Sequence, residues 1–171
     1  MIHETDSSKI ILTKDIRIEK INFNKPESME ISRKIFKSTR YEEVALSNWP
    51  PEQAEFFLNQ QFDFQHIDYT SKYLNARFYF ILYKKEICGR LYIDYREKET
   101  RIIDIALLPE YRNKKIGSTI LNILKSEADK LDRPLSLHVE NFNRARTLYQ
   151  RHGFKEISND GVYILMEYQT N

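Results

Sequence analysis

The sequence predicts a mixed α/β (α+β) domain built on a central sheet, and three observations carry that prediction. Two stretches with helical apolar spacing precede residue 73, strands rich in aromatic and branched residues follow from residue 77, and helix and strand patterns alternate from residue 116 onwards. Elements in that order pack as helices against one shared sheet.

In chain order, residues 1–14 read as a frayed lead-in to a single domain spanning 1–171. Ile16, Ile18, Ile21 and Phe23 suggest a short strand with imperfect alternation. Pro26 stands at a first helical position, and Met29, Ile31, Ile35 and Phe36 continue a helix from it. Thr39 to Asn48 reads as a short helix or turn, closed by Trp49-Pro50-Pro51, because proline disfavours helix at the residue before it. From Glu52 to about Tyr73, the spacing of Phe56, Phe57, Gln60, Phe64 and Ile67 predicts a long second helix.

Arg77–Tyr83 is a strand by its aromatic and branched content, and a polar turn leads to another at Ile87–Tyr95. Arg101–Leu108 is nearly continuous apolar apart from Asp104, as expected of a central strand buried on both faces. Ile116 to Leu131 places its apolar residues on one helical face. Pro134–Val139 is a strand, Asn143–His152 a helix, and Gly153 ends that helix. Phe154–Ile157 and Val162–Tyr168 pair as a hairpin across Asn159-Asp160-Gly161.

Composition narrows the function. The 171 residues are 41% hydrophobic and 30% charged, with a net charge of +2. This is a globular composition without the strongly basic stripe of a nucleic-acid binder. No stretch approaches the ~18 apolar residues needed to span a bilayer, and MIHETDSSK lacks the pattern of a secretory signal. Cys88 is the only cysteine, which excludes an internal disulfide and a cysteine-rich metal site. No pair of histidines has metal-ligand spacing. A soluble cytoplasmic protein without a metal, nucleic-acid or membrane partner is the expectation. Only four glycines occur where average usage near ~7% predicts roughly a dozen, so those present should mark places where the backbone needs them.

The segment from Asp104 to Ser118 is the most informative. An apolar strand ends at Pro109, and a basic turn leads directly into an amphipathic helix. Helix N-termini leave N–H groups unpaired and carry partial positive charge, so such a turn can hold a phosphate or pyrophosphate. Arg112, Lys114 and Lys115 would add cations, and Gly117 would allow close backbone approach. A solvated basic loop before an ordinary helix is the alternative.

A second strand–loop–helix segment runs from His138 to Phe154. Together the two segments resemble the GNAT superfamily of N-acetyltransferases, in element order from about residue 16 to residue 168. Arg112-Asn113-Lys114-Lys115-Ile116-Gly117 is similar to the family's pyrophosphate signature, with Lys115 in place of its first glycine. Asn143, Ala145, Leu148, Tyr149, Gly153 and Phe154 are similar to its second pattern, with Asn141 a rival to Asn143. If the Lys115 position requires positive φ, lysine is an awkward occupant; otherwise its ammonium is a further phosphate contact.

The resemblance implies a GNAT-like central mixed, mostly antiparallel sheet flanked by helices. It implies acetyl-CoA as donor and direct attack of a primary amine on the thioester. The pyrophosphate would sit on the amides of Arg112, Asn113, Lys114, Lys115, Ile116, Gly117 and Ser118, with Asn143 and Ala145 also on the cofactor. The pantetheine arm would pair along Ala106, Leu107 and Leu108, and an N–H of Leu107 or Leu108 would stabilise the oxyanion. Tyr149 is the implied general acid and a cofactor contact; a tyrosine packed in the core is the alternative. Asp104, the lone charge in its strand, and Glu140 are the candidate bases. Asp104 serves equally well paired with Arg101 or Arg90. His138 and His152 read as structural. The acceptor, a small molecule or peptide, would meet Arg40, Glu42, Trp49 and Tyr69, with Glu43 and the face of Gln60, Gln61 and Gln65 nearby. Edge strands at the C-terminus would support a homodimer. Two rivals stand beside the enzyme: a non-catalytic acyl-CoA-binding sensor or scaffold, and a domain binding another phosphorylated ligand.

Overall fold

Branched and aromatic residues build the centre of the sheet. In a computed structural model, which describes Ile2 and residues 8–170, Arg77–Tyr83 (β3), Glu86–Tyr95 (β4) and Thr100–Leu107 (β5) form three adjacent antiparallel strands. Lys9–Ile11 (β1) and Ile16–Lys20 (β2) extend them on one side. On the other side lie Leu135–Glu140 (β6), Lys155–Asn159 (β7) and Tyr163–Tyr168 (β8). The eight strands form one sheet in the order β1-β2-β3-β4-β5-β6-β8-β7. Every pairing is antiparallel except β5 with β6, which the helix Ile116–Leu131 (α3) connects.

The lead-in expected to fray is ordered where it is described. Lys9–Ile11 pairs with Arg17–Glu19 as an edge strand, because its backbone groups find partners there. Residues 1 and 3–7 lie outside the described residues.

Pro26–Ala45 (α1) is one continuous helix, absorbing most of the separate short helix or turn expected over Thr39–Asn48. No glycine or proline interrupts it, and the Ser38 and Thr39 hydroxyls bond back to the Ile35 and Phe36 carbonyls without breaking the helix. Pro51–Lys72 (α2) follows, but its burial differs from expectation. Leu58 and Phe62, one turn apart, face inward, while Phe56, Phe64 and Ile67 are exposed. Apolar residues surround this helix, and the stripe that meets α1 wins; Phe62 lies 5.8 Å from the Phe36 ring.

The helices clothe the two faces of the sheet. On one, Ile120, Leu121 and Leu124 of α3 join Leu91, Ile93, Ile102 and Leu137 in a buried core. On the other, Ile35 of α1 packs with Phe80, Tyr92 and Ala106. The short helix Ala145–Arg151 (α4) brings Leu148 and Tyr149 to the α3 side. Gly89 is dictated by close approach: a Cβ there would lie 2.2 Å from the Ala106 carbonyl oxygen.

Candidate active site

The one parallel seam of the sheet opens. β5 and β6 pair only at Thr100–Ile102 with Leu135–Leu137, and no pairing joins them beyond Ile102. A register shift against β4 falls at the same place, between Tyr92 and Ile93. Backbone groups of β5 therefore face an open edge. Leu108 donates its N–H to the Cys88 carbonyl at 2.9 Å, towards β4. Because alternate residues of an antiparallel strand face opposite neighbours, Ala106 also points to β4, and Ile105 and Leu107 point into the opening. The backbone groups of Ala106 and Leu108 are thus taken up by pairing with β4, while those of Leu107 face the opening.

Beyond β5, a 3-10 turn at Pro109–Tyr111 leads to the basic loop. Asn113 (φ 61°) and Lys115 (φ 62°) are both left-handed. Lys115 is the N-cap of α3 without a side-chain hydrogen bond. The first helical bond runs from Thr119 N–H to the Lys115 carbonyl, which leaves the amides of Ile116, Gly117 and Ser118 without helical acceptors. Asn113, Lys114 and Lys115 are exposed around them, with the Lys114 ammonium 5.1 Å from the Tyr111 ring centroid. Gly117 faces the gap between β5 and α4: a Cβ there would meet only Leu148 at 3.8 Å and Leu107 at 4.0 Å.

Arg112 departs from expectation. Its Nε donates to the Leu107 carbonyl at 3.0 Å, its Nη2 to the Ser38 carbonyl at 2.9 Å, and its own N–H to Pro109. Both guanidinium and amide are engaged within the fold.

Tyr149 is 7% exposed. Burial, and then the charge of Asp104, push its hydroxyl pKa well above the usual phenol range. Asp104 lies on the α1–α2 side, where its Oδ2 is 2.6 Å from Arg90 Nη2. Arg90 is almost wholly buried and also donates to Gln65 Oε1 of α2 at 2.7 Å. The partner anticipated for Asp104 is therefore Arg90; Arg101 instead binds Ser136, His138 and Glu99. Asp104 and burial also raise the Tyr69 pKa, burial most. Asn143 Oδ1 accepts the Ala145 N–H at 2.9 Å at the start of α4, while its rival Asn141 is tied to the Gly161 carbonyl at 3.2 Å.

A cleft of about 780 Å³ opens on the α1–α2 side, between those helices, β6 and β8. Arg40, Tyr69 and Glu140 line it, with Gln61 and Gln65. Arg40 binds Glu43 at 3.0 Å and Glu140 at 2.6 Å across the rim, and the two carboxylates raise its pKa against the opposing effect of burial. Glu42 does not line the cleft: it points outward, 3.9 Å from Arg144. Glu43, three residues from Arg40 on the helix, takes the inner position. Trp49 packs edge-on against Phe57 at 5.1 Å and is not among the residues lining the cleft.

Residues 75–156 match a family model described as an acetyltransferase (GNAT) domain. Over that stretch, just under half of its length, the chain is similar to GNAT acetyltransferases. Its mostly antiparallel sheet flanked by helices has the fold of solved acetyltransferases. The PaiA N-acetyltransferase of Thermoplasma acidophilum, solved with coenzyme A, is 21% identical over 90% of this chain and 98% of its own, with a TM-score of 0.65. A GNAT acetyltransferase of Elizabethkingia anophelis with acetyl-CoA bound is 18% identical over 92% and 99%, at 0.56. An acetyl transferase of Salmonella typhimurium that modifies the N-terminal serine of ribosomal protein L7/L12 is 13% identical over 95% and 99%, at 0.62. At these identities the likeness is one of fold. A search of curated proteins finds no match.

The matched span runs from just before β3 into β7 and so contains the opened seam, the α3 N-terminus and Tyr149. The α1–α2 region and all of β8 lie outside it. Sequence reasoning missed Tyr163, which joins the cleft lining from β8, and left open whether Arg90 or Arg101 would hold Asp104. Nothing local in the sequence marks Tyr163. Among the described residues, no helix is long and apolar enough to cross a membrane.

Proposed function

We propose that this GNAT domain transfers the acetyl group of acetyl-CoA to a primary amine by direct attack on the thioester. The observation that carries the proposal is the parting of β5 and β6 beyond Ile102, flanked by unpaired α3 amides on one side and the cleft on the other. The cofactor's pyrophosphate would rest on the amides of Ile116, Gly117 and Ser118, beside Lys114 and Lys115. Its pantetheine arm would lie along the open edge of β5 at Ile105 and Leu107, reaching Ala145 of α4.

The acceptor reaches the seam from the cleft. Its nitrogen loses a proton to Asp104 or Glu140, directly or through water, and attacks the thioester carbonyl. The Leu107 N–H faces the developing oxyanion, and such a preorganised donor is worth on the order of 10²–10³ in rate. The tetrahedral intermediate collapses with loss of the CoA thiolate, and the Tyr149 hydroxyl supplies the thiolate's proton. Because its pKa is raised, Tyr149 stays protonated and able to donate at neutral pH.

The described residues share a single sheet, which supports reading the chain as one domain. The exposed edge strand β7 supports, in the same sense, pairing of two copies.

A second reading, a non-catalytic acyl-CoA-binding module, is favoured by one observation: both candidate bases are held by arginines, Asp104 by Arg90 and Glu140 by Arg40. Thermal-shift titration with acetyl-CoA, CoA and ATP comes first. Ligand at ~100 times its dissociation constant adds about 2.7 kcal/mol. A shift with both CoA species but not ATP is expected; no shift with either ends the acyltransferase proposal. Release of CoA with an amine panel then separates enzyme from binding module. A thiol reagent reads it cleanly, because Cys88 is buried and its pKa is pushed up to about 12 by burial.

A further inference from the structure

Phe64, Ile67 and Tyr163 are large apolar side chains exposed to solvent, and all three line the one cleft proposed to admit the acceptor. Exposed apolar surface concentrated in a concave site favours a ligand with an apolar body. The charges of the cleft are unequal. Arg40 is its only cationic side chain, and Glu43 and Glu140 already engage both ends of its guanidinium. The two carboxylates exceed that single positive charge by one. Asp68, the other acid in the lining, is balanced by Lys72 at 2.6 Å. An ammonium entering the cleft therefore finds a surplus carboxylate, whereas an entering carboxylate finds no uncommitted cation.

We infer that the acceptor is an amine carried on an aromatic or alkyl body with no carboxylate beside the amine, and that the Arg40–Glu43–Glu140 cluster enforces this selection. The inference rests on the acyltransferase reading of the site. The ammonium lies against the cluster before it loses its proton, and the apolar body covers Phe64, Ile67 and Tyr163. An amino acid of the same shape is rejected by repulsion from Glu43 and Glu140, so discrimination comes from a repulsive element as much as an attractive one.

Matched pairs that differ only in the carboxylate test this: tyramine against tyrosine, and hexylamine against 2-aminohexanoate, each with acetyl-CoA. In kcat/KM, each amine should exceed its partner by at least about tenfold, and Glu43→Gln should shrink that ratio while leaving the acetyl-CoA thermal shift unchanged. Equal or better turnover of the amino acids overturns the inference. So does an acetyl-CoA thermal shift accompanied by no turnover of either amine. Absence of the thermal shift itself is a different failure: it removes the acyltransferase reading, and the inference with it.

Discussion

Arg112 Nε donates to the Leu107 carbonyl at 3.0 Å, while Nη2 of the same guanidinium reaches the Ser38 carbonyl of α1 at 2.9 Å. One side chain thus ties the open end of β5 to the first helix. It saturates the Leu107 carbonyl and leaves the N–H of that residue facing the seam. Arg112→Ala should cost about 1.5–3 kcal/mol, because it strips two charge-assisted bonds from partly buried carbonyls. That lowers the ligand-free Tm by roughly 3–12 °C in a domain of this size. Lys114→Ala should leave the ligand-free Tm unchanged. If Arg112→Ala melts with the wild type and only binds CoA more weakly, its role is phosphate contact after all.

Tyr149→Phe removes one hydroxyl from a buried ring and should keep the fold. Its kcat should fall about 10²-fold, with the thermal shift given by acetyl-CoA retained. Full activity in the variant would reassign the proton donor. Since burial and Asp104 raise the Tyr149 pKa, wild-type activity should show no decline from its ionisation between pH 7 and pH 9.

Lys115 stands where the family signature has glycine, and it is left-handed at φ 62°. A non-glycine residue pays on the order of 1 kcal/mol there, and glycine recovers part of it against a more flexible unfolded chain. Lys115→Gly should therefore match the wild type or gain up to about 1 kcal/mol in urea denaturation. Lys115→Val should lose about 1–2 kcal/mol, because a branched Cβ fits this conformation worst. A stable Val variant would mean the loop does not need this backbone.

His66, His138 and His152 all have pKa values lowered, in each case chiefly by burial. Arg101 adds to the effect at His138, and Lys125 at His152. Unfolded histidine takes up its proton near ~6.5, so below that pH the unfolded chain binds more protons than the folded one. The stability these groups contribute is present above about pH 6.5 and is lost as pH falls through the lower folded values. The Tm should drop from pH 7.5 to pH 5.5, and His138→Gln should flatten that slope. A Tm that holds or rises on acidification contradicts the assignment.

Local pattern carried the sequence reading where one residue's neighbours along the chain decide its fate. Strands β3 to β5 follow from uninterrupted branched and aromatic residues, α3 from its single apolar face, and the basic turn from Pro109 and the charges after it. Even the awkwardness of Lys115 was legible, since positive φ is a property of one residue. The merger of two expected segments into α1 was less so, because the Ser38 and Thr39 hydroxyls bond back within the helix instead of interrupting it. Only the tertiary structure decided which groups remain available for chemistry. Ala106 and Leu108 lost their backbone bonds to β4, Arg112 was drawn to Leu107 and Ser38, and Glu43 rather than Glu42 turned towards Arg40. Each outcome depends on partners 3 to 74 residues away competing for the same donor or acceptor. Sequence specifies which polar groups exist; burial forces nearly all of them to find partners, and the few left over at an open seam make the site.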